Sequence, residues 1–156
     1  MLPSANTTNA DLARVVAIHE RQLALCAALE GIADTLPDAV DHQHVLQVAR
    51  ALPDLVQRAQ RLEEDVLFPL LARRATVGVE VEAMLARLRS EHVEDACYAE
   101  DIQEALQALG EGRQARSTES LAYMLRGFFS ALRRHVAVES DLLATLSRQR
   151  AVSDPK

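Results

Sequence analysis

The stretch LAYMLRGFFSALRRHVAVESDLLATL, residues 121–146, decides the fold. Leu121, Leu125, Phe128, Leu132, His135, Glu139, Leu142 and Leu146 recur at alternating four- and three-residue intervals, so they share one face of an α-helix. That face is apolar enough to require cover from other helices. Yet two of its eight positions, His135 and Glu139, are ionisable and stand one turn apart. Burying an unpaired carboxylate costs several kcal/mol, against a total stability of only ~5–15 kcal/mol for a domain, so something must compensate for them.

The same periodicity occurs in three earlier segments, and none shows sustained strand-like alternation. The first helix opens at Thr8, with Asp11 three residues on in a capping-box pattern, and stops before Pro37. The second runs from Asp38 to about Ala72, and Pro53 implies a kink or short break in it, because proline removes a hydrogen bond and crowds the preceding turn. The third spans about Val79 to Leu109 and is closed by Gly110 and Gly112; the fourth starts after Ser117 or Thr118 and continues to about Arg148. Short connections force antiparallel neighbours, so the expectation is an all-α, up-down-up-down four-helix bundle over residues 9–148, with disordered tails at 1–8 and 149–156.

Composition agrees with one helical domain. Of 156 residues, 49% are apolar but only 3% aromatic, with no Trp, so Leu, Val and Ala must build the core. The formal charge is −6 and no basic cluster lacks interspersed acids, which disfavours nucleic acid as a partner. MLPSANTTNADL lacks the basic flank and apolar run of an export signal, and no segment runs ~18 residues without charge, so a cytoplasmic protein without membrane contact is expected. Cys26 and Cys97 fit no metal-finger or redox spacing. A homo-oligomer stays open, and no protein partner is legible.

Each helix places a potential metal ligand on its inward seam. The first gives Leu12, Val16, His19, Leu23 and Cys26; the second Leu52, Val56, Ala59, Glu63, Val66 and Leu70; the third Val81, Leu85, Leu88, His92, Ala99, Ile102, Leu106 and Leu109. Depth along the bundle supplies a second criterion. At about 1.5 Å per residue, His92 and His135 lie at equal distances from the turn that joins their helices, as do His19 and Glu63 from theirs. Three imidazoles and two carboxylates converging in one layer suit a first-row transition metal, iron in particular. The ferritin-like alternative requires Glu three residues before a His, and no His here has one.

In order along the chain, His19-Glu20, EEDVLFPLL (63–71), SEH (90–92) and HVAVE (135–139) resemble the hemerythrin-like, or HHE cation-binding, family over about residues 10–147. The resemblance implies a hemerythrin-like bundle with a non-haem di-iron centre. It makes His19, His92 and His135 terminal nitrogen ligands and Glu63 and Glu139 bridging carboxylates. Two departures stand out. The His that the family carries four residues before the first Glu of EExxLFP is Ala59 here, and the second His that oxygen-carrying members place on the third helix is Ala96. The outcomes open to such a chain are a labile di-iron site, a single-metal site, or a bundle that has lost its metal and serves as a protein-interaction module.

The resemblance therefore points to iron, with O2, peroxide or nitric oxide as the small ligand, in sensing, iron handling or stress defence. Gln60, Glu20, Glu64 and Tyr98 are the side chains that stand near enough to compensate for Ala59 or to orient a ligand. His42 and His44 are about 20 residues from Glu63 on the same helix, ~30 Å away, and cannot join the centre.

Overall fold

Four helical rods account for the fold. The computed structural model describes residues 5–74, 78–113 and 116–153, and among these no strand occurs. The elements are α1 (Ala5–Thr35), α2 (His42–Leu62), a π-helical turn (Glu63–Leu67) that leads directly into α3 (Phe68–Arg74), α4 (Gly78–Gly110) and α5 (Thr118–Ser153). The second rod is thus α2, the π turn and α3 in succession. None of these helices is long and apolar enough to cross a membrane.

α1 packs against α2 and α5, and α4 packs against the same two. Side-chain pairs fix the register. Asp34 meets Arg126 at 3.0 Å, Glu30 meets Arg133 at 2.6 Å and His19 meets Glu139 at 3.0 Å, so α1 and α5 run in opposite directions. Between α2 and α4, His42 Nδ1 donates to the Leu109 carbonyl at 2.9 Å and Gln60 Nε2 to the His92 carbonyl at 2.7 Å, again an antiparallel register. Tyr98 donates to the Met124 carbonyl at 3.1 Å and fixes α4 against α5.

Helix ends follow local chemistry. Asp41, rather than Asp38, caps α2 by accepting from the His44 amide at 3.0 Å. Ser117 Oγ caps α5 by accepting from the Ser120 amide at 3.1 Å. After α4, Gly112 adopts φ 72°, the Arg113 amide reaches the Ala108 carbonyl at 2.8 Å and the Gly112 amide reaches Leu109 at 3.0 Å, which is a Schellman closure. α1 already includes Ala5–Thr8 and α5 extends to Ser153, so helix continues into both segments expected as tails. No Gly or Pro interrupts either stretch before the helix ends. The rest of those segments, 1–4 and 154–156, lies outside the described residues.

Two expected seams and one expected break need correction. In α1, Val16 and Leu23 are 48% and 43% exposed, while Val15, Ile18, Gln22, Leu25 and Leu29 take the interior. A polar Gln at a core position hid the true register. α2 continues through Pro53 without a break. The irregularity falls instead at Glu63–Leu67, where the Phe68 amide bonds the Glu63 carbonyl five residues back. Pro69 has no N–H to return to Asp65 and its ring crowds that carbonyl, a conflict that the wider π turn relieves. The extra residue shifts the inward face by one, so Leu67 and Leu71 are buried where Val66 and Leu70 were expected.

The interior consists of two apolar cores with a polar layer between them. The larger core runs from Ile18 to Ala33 on α1, Val45 to Ala59 on α2, Ala99 to Leu106 on α4 and Leu121 to Val136 on α5. The smaller holds Val15, Leu67, Phe68, Leu71, Leu85, Leu88, Leu143 and Leu146. His19, Glu63, His92, His135 and Glu139 lie on all four rods at the level between them.

Two glycines should respond with opposite signs. Gly112→Ala should lower stability by about 1 kcal/mol, because nothing crowds a Cβ there and only the positive φ penalises it. Gly31→Ala, in open space within α1, should raise it by about 0.5–1 kcal/mol. Urea unfolding of the metal-free chain measures both, and equal effects would remove the left-handed closure of α4 as the cause.

Candidate metal centre

The motif EEDVLFP acquires a separate physical role at nearly every position. Glu63, at the head of the π turn, is fully buried. Its neighbour Glu64 turns to α4, where Oε1 accepts from His92 Nδ1 at 2.7 Å. Leu67 and Phe68 seal the smaller core, and the Phe68 ring stacks on His92 with centroids 5.5 Å apart and planes 13° apart. Pro69 maintains the wide turn that brings Phe68 round to the inward side with Glu63.

The histidines are oriented from behind. A carboxylate only accepts, so Glu64 fixes the proton of His92 on Nδ1, and Glu91 Oε2 does the same for His135 Nδ1 at 3.1 Å. His19 Nδ1 lies 3.4 Å from Ser140 Oγ. All three Nε2 atoms therefore face the layer. Such outer partners are the usual means of presenting imidazole to a cation.

Each buried carboxylate is split between two groups of nitrogens. Glu63 places Oε1 3.2 Å from His19 Nε2 and Oε2 3.2 Å from His92 Nε2. Glu139 places Oε2 3.0 Å from His19 Nε2 and Oε1 3.3 Å from His135 Nε2. His92 Nε2 and His135 Nε2 are 3.1 Å apart. The layer is thus two half-sites that share both carboxylates: one with His92 and His135, the other with His19 alone.

These distances and the state of the oxygens fit a cation. Two ligands about 2.1 Å from one ion and at right angles are about 3 Å apart, the separation seen here. Both oxygens of Glu63 and Oε1 of Glu139 are buried without a hydrogen-bond partner, although nitrogens lie at ion-pair distance. Glu63, His92, His135 and Glu139 each bring one ligand atom within 4.8 Å of the others, a group able to hold a metal ion. His19 closes the second half-site from α1.

Without a cation, protons hold the layer together. Burial disfavours charge on His19, but the hydrogen bond to Glu139 and the Glu63 carboxylate beside it outweigh that and push the imidazole up to about 9. For His92, burial is likewise outweighed by Glu139, Glu63 and Glu64, and the group rises to about 10. His135 is raised by Glu139 and Glu91 against burial and the charge of His92. Burial would raise the Glu139 carboxyl, yet the three imidazoles around it hold it well below the usual carboxylate range.

The two absent ligand positions differ. Ala59 is fully buried, one turn before Glu63 and within the larger core; Ala96 is only half-buried on α4. Of the residues that stood ready to compensate, Gln60 is engaged with the His92 carbonyl, Glu20 is exposed, and Tyr98 bonds Met124 and packs edge-on against Phe128 at 5.7 Å, away from the layer. Glu64 acts through His92. Glu91 and Ser140 were not singled out from sequence. Glu91 adjoins a ligand within SEH, but its use depends on α5 passing that side of α4. Cys26 is a buried thiol that burial pushes up to about 11, and Cys97 is exposed and free.

A helical bundle with a buried layer of three histidines and two glutamates is a metal-binding architecture. The hemerythrin HHE cation-binding domain model matches residues 11–146, and the chain belongs to that family. No curated protein and no solved structure matches it significantly.

The metal-free layer sets a pH dependence. His19 and His92 are raised in the folded chain above their ordinary 6.5, so their stabilisation is complete below about pH 6.5 and lost as pH rises through about 9 to 10. Glu139 is lowered, so its contribution is present above its ordinary 4.5 and lost as pH falls. The chelator-treated protein should therefore melt highest between about pH 4.5 and 6.5, with Tm declining towards pH 10. A Tm that is level or rises over pH 6.5–10, followed by circular dichroism, would mean the imidazoles are neutral in the folded metal-free state.

Proposed function

We propose that this chain is a non-haem iron protein that holds two ions in the layer and presents them to O2, peroxide or nitric oxide. The observation that carries this reading is the division of Glu63 and Glu139, each with one oxygen towards His19 and the other towards His92 and His135. A carboxylate that serves one ion has no need of that division; one that joins two does. His92 and His135 would be the nitrogen donors of one ion, and His19 that of the other. Imidazole with carboxylate oxygen is a donor set suited to iron.

Iron in such a site supplies redox equivalents and coordination positions open to a small ligand. The chain's own residues do the rest. Glu64 and Glu91 hold the tautomers of His92 and His135, and the two apolar cores exclude water above and below the layer. A groove between α4 and α5 leads from solvent to His135 and is lined by Glu91, Glu94 and Asp95 together with Arg87 and Arg134, so it is a polar path of mixed charge. Ala59 and Ala96 supply no donor atom, so the centre has fewer protein ligands than reversible O2 carriage calls for and fits sensing, iron handling or stress defence better.

The alternative, a metal-depleted bundle that works as an interaction module, would leave three carboxylate oxygens permanently buried without hydrogen bonds. In such a molecule only protons retained on His19, His92 and His135 would offset that cost.

Anaerobic reconstitution with ferrous iron should give about two irons per chain, and exposure to air should produce near-ultraviolet absorption absent from the metal-free protein. Glu139→Ala, which removes an oxygen from both half-sites, should reduce retained iron to near zero while the helical circular dichroism persists. Iron content unchanged by that substitution would remove Glu139 from the site; no iron in the unaltered chain would defeat the reading.

A further inference from the structure

Among the described residues, Gln22 is the one buried polar side chain outside the set of histidines and glutamates above. It is 1% exposed, and its carbonyl oxygen Oε1 has no hydrogen-bond partner. An amide oxygen in that condition destabilises a core, and a Leu at the same place would not. Such a residue calls for a partner that the protein atoms do not supply.

Its place identifies the partner. Gln22 follows His19 by three residues on the interior face of α1, and helical side chains lean towards the helix N-terminus, so a side chain at position 22 is directed back towards the turn that carries His19. His19 meets Glu63 at 3.2 Å across the α1–α2 boundary. One turn on in α1 therefore stands opposite one turn back in α2, which is Ala59. Ala59 is fully buried and ends in a methyl group, so a longer side chain from α1 can occupy the space a ligand at position 59 would take. The His19 half-site is also the poorer one, with a single nitrogen.

Resting on the metal-binding reading above, we propose that Gln22 Oε1 is an oxygen donor to the cation held by His19, Glu63 and Glu139, in the position that Ala59 leaves without a ligand. A neutral amide carbonyl is a hard donor that divalent first-row cations accept. It would add a ligand without adding a third negative charge to the layer.

The test is an anaerobic titration of the metal-free full chain with ferrous iron against a chromogenic chelator, which resolves two equivalents. Gln22→Leu keeps the volume and removes the orphaned amide, so the metal-free Tm should be unchanged or higher. The first equivalent should bind within about twofold of the unaltered chain and the second ~10–100-fold more weakly. Gln22→Glu should retain the second equivalent, and Gln22→Asn, which keeps a buried amide but draws it back by one methylene, should lose it. Ala59→His in the Gln22→Leu background should restore it. Two equivalents bound by Gln22→Leu as tightly as by the unaltered chain would overturn the assignment of Gln22 alone; an unaltered chain that takes no iron would overturn the metal-binding reading and this one with it. Should Gln22→Leu fail to fold, Asn and Glu variants that bind the second equivalent equally would overturn the assignment.

Discussion

Two carboxylates enclosed between apolar cores are the constraint on which the rest of this molecule depends. Glu63 and Glu139 have no exposure to water, and three of their four oxygens lack a hydrogen bond. In a bundle stabilised by a margin of only ~5–15 kcal/mol, two such groups are tolerable only with positive charge beside them. The three imidazoles provide it in the metal-free chain by retaining protons, and the same nitrogens are the natural donors to a cation. Proton and metal ion therefore compete for one layer, and affinity for metal must rise with pH over the range where the imidazoles would otherwise stay charged.

The π turn is how the chain reconciles that layer with the core below it. In a regular helix Phe68, five residues past Glu63, would face about 140° away from it, whereas the wide turn brings it to the same inward side. One extra residue in the turn places Glu63 in the polar layer and Phe68 against His92 from the same short stretch. Pro69 makes this the favoured arrangement, since it cannot complete the tighter turn. Wide turns of this kind are found at functional sites more often than chance would place them, and here the reason is local and steric.

The four rods, their order and the layer of His19, Glu63, His92, His135 and Glu139 were all legible in the sequence. Long three-and-four periodicity, Gly and Pro at the connections and equal depths from each turn specify them with little ambiguity. Two things were hidden. Periodicity assumes a constant helical pitch, so it could not reveal a five-residue turn, and it misplaced the seam beyond Glu63 by one position. In α1, a reading that looks for apolar side chains passed over Gln22 and accepted the exposed Val16 and Leu23. Contacts between rods, such as Glu91 with His135, depend on rotations about helix axes that a single sequence does not encode.

The same hidden residues bear on the asymmetry of the centre. His92 and His135 come from adjacent rods, each with a carboxylate behind it, and are 3.1 Å apart before any ion arrives. That half of the layer is preorganised, so little ordering remains when a cation enters. His19 has only a long contact to a hydroxyl, and the residue one turn from Glu63 that would complete its half ends in a methyl group. Ligand number and rigidity both rank the halves in the same order. On the proposed reading the two halves would hold metal unequally, and with the His19 half empty one oxygen of each carboxylate would face a protonated His19. A centre of that kind could give up half its metal without exposing an uncompensated charge, which would suit a protein that exchanges metal better than one that must protect both halves.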